Sequence, residues 1–362
     1  MCRTYNMIGS LAHIKAHLEA NNIYEFKSLK DVIQFQNSYQ LLRQQIIIDH
    51  ERLITQEKDM LNLELEQLDI IIGTHKQQTE QKFLGKIETL QQQLHCLSSE
   101  SAFYSFKSLT KSLRVWSYNR KLQRKKEGLK KEITKSTSKY IKVRHLKSTR
   151  FQFITSQFSS AVEESAGADL IEIERKKTVI DQLSTFIYGA LGEQTVVKTL
   201  EALSDDYFLI NDFVVSFSPP LYNRQENEYI KSIQIDHLLV APSGVFLIET
   251  KNWSEHSLSN ISLRSPIQQI KRSSFALYKL LNNEISGLNL EKHHWGDKKI
   301  SIKNLLVLTN SKPKEEFQYV KILNINDLLG YIGYFKPIFS KNETQRVFDY
   351  LLNTNGQKNL YP

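Results

Sequence analysis

The sequence predicts two structural classes in one chain, an all-α, coiled-coil-like region over residues 1–180 and an α/β region over residues 181–362. Three observations predict it. All seven prolines lie at or after Pro219; proline breaks helix interiors, so a long stretch without one reads as helical. Only five of the 13 glycines precede Gly189. Apolar residues step by three and four through the first half, and concentrate in short β-rich runs in the second; these are the marks of helix and strand.

Within the first half, Val32, Phe35, Tyr39, Leu42 and Ile46 form one seam. Leu61, Leu65, Leu68 and Ile72 continue it, as do Phe83, Ile87, Leu90, Leu94 and Leu97. Alternating steps of three and four make the narrow stripe of a coiled coil. The seam shifts phase near Met60 and weakens through Gly73–Gln81. The spacing predicts a long helix or helical hairpin from about 28 to 99, with a skip or break near Gly73. A second helical stretch covers about 101 to 181. It begins with Phe103, Tyr104, Phe106, Trp116 and Tyr118, passes through a basic block, and ends in the acidic run Glu163–Glu174. Aromatics among basic residues can stack bases; at helical spacing, packing against a neighbouring helix is the favoured reading. A single exposed apolar seam needs a partner. The two arms either fold back on each other or pair between chains, and a homo-oligomer is the expectation.

The second half reads as a helix over Asp181–Leu203, a strand over Tyr207–Val215 and a polar loop over Ser218–Tyr229. Strands at Ile233–Val240 and Val245–Thr250 flank the turn Ala241–Gly244. Pro266 opens a helix to about Leu281, since proline suits a first helical turn. Ile302–Leu308 is a strand, Val320–Leu323 a short one, and helices near Ile325–Tyr331 and Glu343–Leu352 follow.

Net charge is +9, and between Lys107 and Arg150 stand 16 Lys or Arg against Glu127 and Glu132 alone. That segment carries +14 and the remainder −5. Such a block implies a polyanion partner, because neutralising phosphates releases counterions. Arg124, Lys125, Lys126, Lys130 and Lys131 are its densest part and the candidate nucleic-acid contacts. The plainer alternative is the solvated face of a long helix. No apolar run reaches the roughly 18 residues of a membrane span, so no membrane partner is expected. The start lacks a signal-peptide core, and Cys2 and Cys96 make no disulfide framework. A cytoplasmic, reducing setting is the expectation. Cys96 beside His95 lacks the further ligands of a metal site. His293-His294 reads as polar loop, and no phosphate-binding Gly-rich loop occurs.

The chemistry concentrates between Gln234 and Lys251. Side chains alternate along a strand, so Val245, Leu247, Glu249 and Lys251 share one face, and Phe246 and Ile248 the other. If Ala241–Gly244 is a simple turn, Val240 pairs with Val245, Leu238 with Leu247 and Asp236 with Glu249. Opposed residues have Cβ atoms about 4.5–5.5 Å apart. Two carboxylates that close repel unless a proton or cation lies between them. Such oxygen ligands suit Mg²⁺ or Mn²⁺, and Lys251 could steady a water or a phosphate charge. A glycine bulge would slip the pairing by one residue and set Asp236 opposite Thr250; the unslipped register is preferred because it explains the placement of charge. The bland alternative is an ordinary Glu249–Lys251 ion pair with Asp236 a strand-end charge. His237 points to the opposite face and reads as core or supporting residue.

The wider pattern resembles the nuclease-related domain family, a branch of the PD-(D/E)xK restriction-endonuclease-like superfamily. Four motifs match in order: Gly189-Ala190-Leu191-Gly192-Glu193 the opening G-x-x-G-E; Gln234-Ile235-Asp236-His237 the Q-I-D-H strand; Gly244 to Trp253 the G-V-x-x-I-E-x-K-N-W; and Pro266-Ile267-Gln268-Gln269 the N-P-x-x-Q helix start. The resemblance covers about 185 to 310. Ser265 stands where the family has Asn, Glu255 where Gly often follows, and the loop at Ser218–Tyr229 is long. These departures put substrate fit in doubt more than chemistry.

The resemblance implies a restriction-endonuclease-like core of helix, three strands, helix and strand. It implies an Mg²⁺- or Mn²⁺-dependent phosphodiesterase acting on DNA. By resemblance Asp236 and Glu249 bind the metal, a carbonyl of Ile248 or Thr250 completes the shell, and Glu193 reaches in as a metal or water ligand. Lys251 is the catalytic lysine and Gln269 orients phosphate or water. The helical half would tether DNA and oligomerise the chain, or answer to a regulatory protein; defence against phage or foreign DNA follows by association only. The competing expectation is a non-catalytic nucleic-acid-binding or scaffold protein that keeps the fold.

Overall fold

The structure is a computed structural model that describes residues 1–99, 105–253, 264–282, 299–310 and 316–357; side chains are described over these ranges apart from 97–99, 105–111 and 264. Phe103, Tyr104, the Phe106 side chain, Glu255 and His293-His294 therefore lie outside the described residues. Contacts divide the chain into two units, Ser38–Glu174 and Met1–Asn37 with Arg175–Pro362. The sequence pattern places one boundary near residue 180; the contacts place two, at 37/38 and 174/175.

The helical unit is built from α2 (Leu29–Ser99), α3 (Ser105–Ser156) and α4 (Phe158–Gln182), the outer ends of α2 and α4 lying in the other unit. The break expected near Gly73 is absent: α2 runs through it. One glycine lowers helix stability by only about 1 kcal/mol. Where the apolar seam weakens, polar contacts replace it. Thr79 Oγ1 donates to Ser136 Oγ at 3.2 Å, and the His75 ring stacks on Tyr140 with centroids 4.9 Å apart. The second helical stretch is two helices, interrupted at Gln157, whose N–H still bonds Phe153 O at 2.8 Å. Ile154, before the interruption, and Ala161 and Val162, after it, share one core with Ile54 and Leu61. Ion pairs fix the direction: Arg144 meets Asp69, Lys147 meets Glu64, and Arg150 meets Glu57. Rising numbers on α3 meet falling numbers on α2, so the arms fold back on each other within one chain. Part of the basic block is thereby engaged inside the hairpin. Leu61 of the seam packs with Ile154 of α3 and with Ala161 and Val162 of α4.

The other unit carries a six-stranded mixed sheet in the order β1 (Arg3–Tyr5), β2 (Phe208–Asn223), β3 (Glu228–Ala241), β4 (Gly244–Lys251), β5 (Ile302–Leu308) and β6 (Lys321–Asn324). β2, β3 and β4 pair antiparallel, while β1, β5 and β6 join in parallel. The polar loop expected over Ser218–Tyr229 is mostly strand. β2 and β3 stay paired out to Asn223 and Glu228, with a register shift between Ser216 and Leu221. Pro219-Pro220 sit at that irregularity, where β1 no longer flanks β2; bulges and edges are where sheets accept proline.

Helices cover both sheet faces, so β4 is apolar on both sides. Val245 and Leu247 pack with Leu238, Val240 and the helix α6 (Arg264–Asn282), together with α8 (Lys341–Thr354). Phe246 and Ile248 pack with α5 (Ser184–Leu200) and α7 (Leu328–Gly333). The expected order of helix, three strands, helix and strand is the order found from α5 to β5. The helix α1 (Gly9–Ala20) lies against α5. No helix among the described residues is long and apolar enough to cross a membrane.

The β3–β4 turn depends on Gly244. Its φ is +125°, and a Cβ there would sit 2.7 Å from the Ser301 carbonyl oxygen. Gly244→Ala therefore combines backbone strain with a clash against backbone. It is expected to lower unfolding free energy by about 2–4 kcal/mol, read as a fall in the urea midpoint with CD at neutral pH. A midpoint equal to that of the unsubstituted protein would show that the turn tolerates another conformation.

Candidate functional site

The hairpin register decides which charges meet. Val240 pairs with Val245, Leu238 with Leu247 and His237 with Ile248. This is the unslipped register. The ladder ends at His237 and Ile248, and the next residues, Asp236 and Glu249, continue the face that holds Leu238 and Leu247 in the core. The Thr250 N–H donates to Asp236 Oδ2 at 2.8 Å. Asp236 thus receives a backbone hydrogen bond from the strand that carries Glu249 and Lys251.

A cleft of about 1190 Å³ is lined by Asp236, Glu249, Lys251, Glu193 and Gln269 together. These five come from β3, β4, α5 and α6. Glu249 is buried, and both its oxygens are engaged: Lys251 Nζ donates to Oε1 at 2.7 Å and Gln269 Nε2 to Oε2 at 3.1 Å. α6 aims Gln269 by burying its neighbours Ile267 and Ile270 against the sheet. The Gln269 amide faces the carboxylate, so it orients Glu249.

Glu193 reaches the cleft because two glycines let α5 come close. A Cβ on Gly192 would lie 2.9 Å from Asn252 Cβ, and one on Gly189 would lie 3.0 Å from Ser10 Oγ. Ser10, in the first turn of α1, donates its hydroxyl to Glu193 Oε1 at 2.5 Å and its N–H to Oε2 at 3.5 Å. Asn252 ties the walls together. Its Nδ2 donates to Tyr188 O at 2.9 Å, and its Oδ1 accepts from Thr309 Oγ1 at 2.6 Å and from Asn310 Nδ2 at 2.9 Å. Sequence reasoning missed Ser10, for which no local pattern signals a role. It passed over Asn252, whose signal was its place directly after Lys251.

Burial sets the electrostatics. It pushes the Glu193 carboxyl up to about 7 against the Ser10 hydrogen bonds, with the Asp236 charge adding to the rise. Burial, then the Asp236 charge, pushes Glu249 up to about 7, with Lys251 opposing. Asp236 is also raised by burial, opposed by Lys251 and by the Thr250 N–H. For Lys251, burial favours the neutral form, but Glu249 and Asp236 outweigh it and hold the ammonium charged. His237 lies in the core on the other face, with Nδ1 bonded to Asn211 Oδ1 at 2.8 Å, and burial pushes its imidazole down to about 3. It is a neutral core histidine.

The donor set fits a hard divalent cation in kind: carboxylates raised chiefly by burial, with the Asp236 charge adding to the rise at Glu249, and Thr250 Oγ1 buried in the wall without a hydrogen-bond partner. Asp236 and Glu249 are the pair that fits. Among the described residues, no three His, Cys, Asp or Glu side chains converge tightly enough to enclose an ion; Glu193 is held by Ser10 instead.

The basic residues belong to the helical unit. Arg124, Lys126, Lys130 and Lys131 lie exposed on α3, and Lys125 is half-buried with its Nζ 5.2 Å from the Phe83 ring centroid.

Residues 188–309 match the family model of the nuclease-related domain. The match contains all five cleft residues named from the sequence and leaves out β1, α1 and the helical unit. An uncharacterized protein of Bacillus anthracis is 25% identical over 183 residues, spanning 46% of this chain and 76% of its own length. No solved structure matches the chain.

The raised carboxyls give a pH signature. Their folded-state values lie above the unfolded ones, so the stability linked to their protons is full below about pH 4.5 and is lost as pH rises through about 7. In EDTA, the protein is expected to lose stability between pH 5 and pH 8. Glu249→Gln, isosteric and uncharged, should lose about 2–3 kcal/mol less over that range, measured by urea denaturation at both pH values. Equal losses in the two proteins would mean that Glu249 ionises without strain.

Proposed function

We propose that the chain, which carries a nuclease-related domain over residues 188–309, is a metal-dependent nuclease that hydrolyses phosphodiester bonds of DNA in this cleft. One observation carries the reading. Five polar side chains from four elements converge in one cavity, where a charged lysine faces carboxyls whose protons are held to about neutral pH. A cleft that concentrates perturbed titratable groups is the electrostatic pattern of acid–base work.

Each residue then has a part. Asp236 and Glu249 would hold Mg²⁺ or Mn²⁺, which when bound supplies a more acidic water and a polarised phosphoryl oxygen. Lys251 stays protonated, so it acts as a fixed positive charge beside the extra negative charge that develops on the phosphate. It is not the base. Glu193, titrating near neutral pH, is suited to accept a proton from the attacking water. Gln269 keeps Glu249 oriented, and Asn252 keeps the α5 wall against β4. The exposed cations Arg124, Lys126, Lys130 and Lys131, with Lys125, would hold the DNA backbone. This reading calls for no second copy of the chain.

A second reading, a non-catalytic nucleic-acid-binding protein that keeps the fold, draws on the absence, among the described residues, of three His, Cys, Asp or Glu side chains close enough together to hold an ion. Cleavage separates the two. With Mg²⁺ or Mn²⁺ and plasmid or linear DNA, Asp236→Ala and Lys251→Ala are each expected to cut at least about 100-fold more slowly than the parent protein, while still binding DNA. Equal rates in all three would remove both residues from the chemistry. No cleavage by the parent protein, with DNA binding intact, would favour the second reading.

The basic face makes a separate prediction. Replacing Lys125, Lys126, Lys130 and Lys131 by Gln should flatten the plot of log affinity against log salt by about 0.9 for each phosphate no longer neutralised. A slope that does not move would assign the basic face to something other than DNA.

A further inference from the structure

Beside the carboxylates, the cleft has an aromatic wall for which the hydrolytic chemistry has no use. Phe186, in the first turn of α5, stacks on His13 of α1 with ring centroids 3.8 Å apart and planes 19° from parallel. Both line the cleft, as do Tyr188 and Trp253. Phe186 is 38% exposed and Tyr188 64%. The core does not account for them: α5 buries Ile187, Ala190, Val196 and Leu200 instead. Large apolar rings left open to solvent in a concave surface mark a ligand site.

The wall is also rigidly placed. The Asn252 side chain holds the Tyr188 carbonyl at 2.9 Å and follows Lys251 directly in the chain. Phe186 and Glu193 share one helix, seven residues apart, a rise of about 10 Å. That is within reach of the base on a nucleotide next to the one whose phosphate lies at the carboxylates.

We propose that His13, Phe186 and Tyr188 form a nucleobase subsite, and that the substrate is a strand whose bases are unpaired where it enters the cleft. An aromatic face accepts any base by stacking, without hydrogen-bond readout. A duplex keeps its base faces stacked on each other, and a base reaches such a wall only from a single strand or after flipping out. His13 and Phe186 lie outside residues 188–309 while Tyr188 is the first of them, so most of the subsite falls outside the matched domain. The proposal rests on Asp236 and Glu249 being the hydrolytic centre, but stacking can be measured without cleavage.

The test uses the full chain in EDTA with a short single-stranded DNA containing 2-aminopurine, and with the same strand in duplex form. Stacking quenches 2-aminopurine, so the single strand should quench on binding and the duplex should not. Phe186→Leu with Tyr188→Leu should abolish the quench and weaken single-strand binding about 10- to 100-fold, leaving duplex binding unchanged. Both residues are solvent-exposed, and an unchanged thermal melt checks the fold. Absent quenching, or equal single-strand affinity in parent and variant, would overturn the subsite. Quenching by a protein that never cleaves with Mg²⁺ would overturn the hydrolytic reading and leave the stacking in place.

Discussion

The register of one hairpin governs the site. Val240 opposite Val245 puts Leu238 and Leu247 into the same core and sends Asp236, Glu249 and Lys251 out of that face at the strand ends. A slip of a single residue would turn the side chains of one strand to the other face relative to its partner. If β3 turned, Asp236 would enter the apolar layer under α5; if β4 turned, Phe246 would leave it. Because both faces of β4 are apolar and covered, neither alternative can be hidden at the surface. The same packing that stabilises the sheet thus holds the carboxylates where burial strains their ionisation. The site is the point at which an otherwise apolar strand pair runs out of core.

Close approach is the second condition. α5 could cover β4 with larger residues, yet a Cβ at Gly192 would lie 2.9 Å from Asn252 Cβ, and one at Gly189 would press on the Ser10 hydroxyl at 3.0 Å. The resulting proximity brings Glu193 into the cleft and lets Asn252 join the Tyr188 carbonyl to Thr309 and Asn310. In the helical unit the organising contact is polar. Arg150 bonds Glu57 through two nitrogens, at 2.9 and 3.0 Å, and Glu164 through a third at 3.0 Å. Exposed pairs of this kind contribute about 0–1 kcal/mol each. Their value lies more in matching α2 to α3 than in stability, which comes from Ile54, Leu61, Ile154, Ala161 and Val162.

What could be read from the residues follows the range of the interactions involved. The β3–β4 hairpin was legible because its turn, its alternation and its charges all lie between Gln234 and Lys251. The long helices were legible from proline and seam spacing. Gly73 misled because a glycine weakens a helix without ending it, and Pro219-Pro220 misled because a bulge can absorb what a regular ladder cannot. β1 and α1 were not legible as part of the sheet-bearing unit. Three residues, Arg3–Tyr5, carry no periodic signal, and their partner, Phe208–Ile210, is distant in sequence. The Ser10 contact with Glu193 depends on that same long-range pairing.

Chain order adds a consequence in time. The sheet-bearing unit is discontinuous, with Ser38–Glu174 interposed between its two parts. During synthesis β1 and α1 leave the ribosome before the helical segment, and β2 does not exist until that whole segment has followed. Contacts that close such long loops form late and slowly. Ser10 and Glu193 are 183 residues apart. A wall of the cleft that is translated before the helical segment is therefore among the last to be completed.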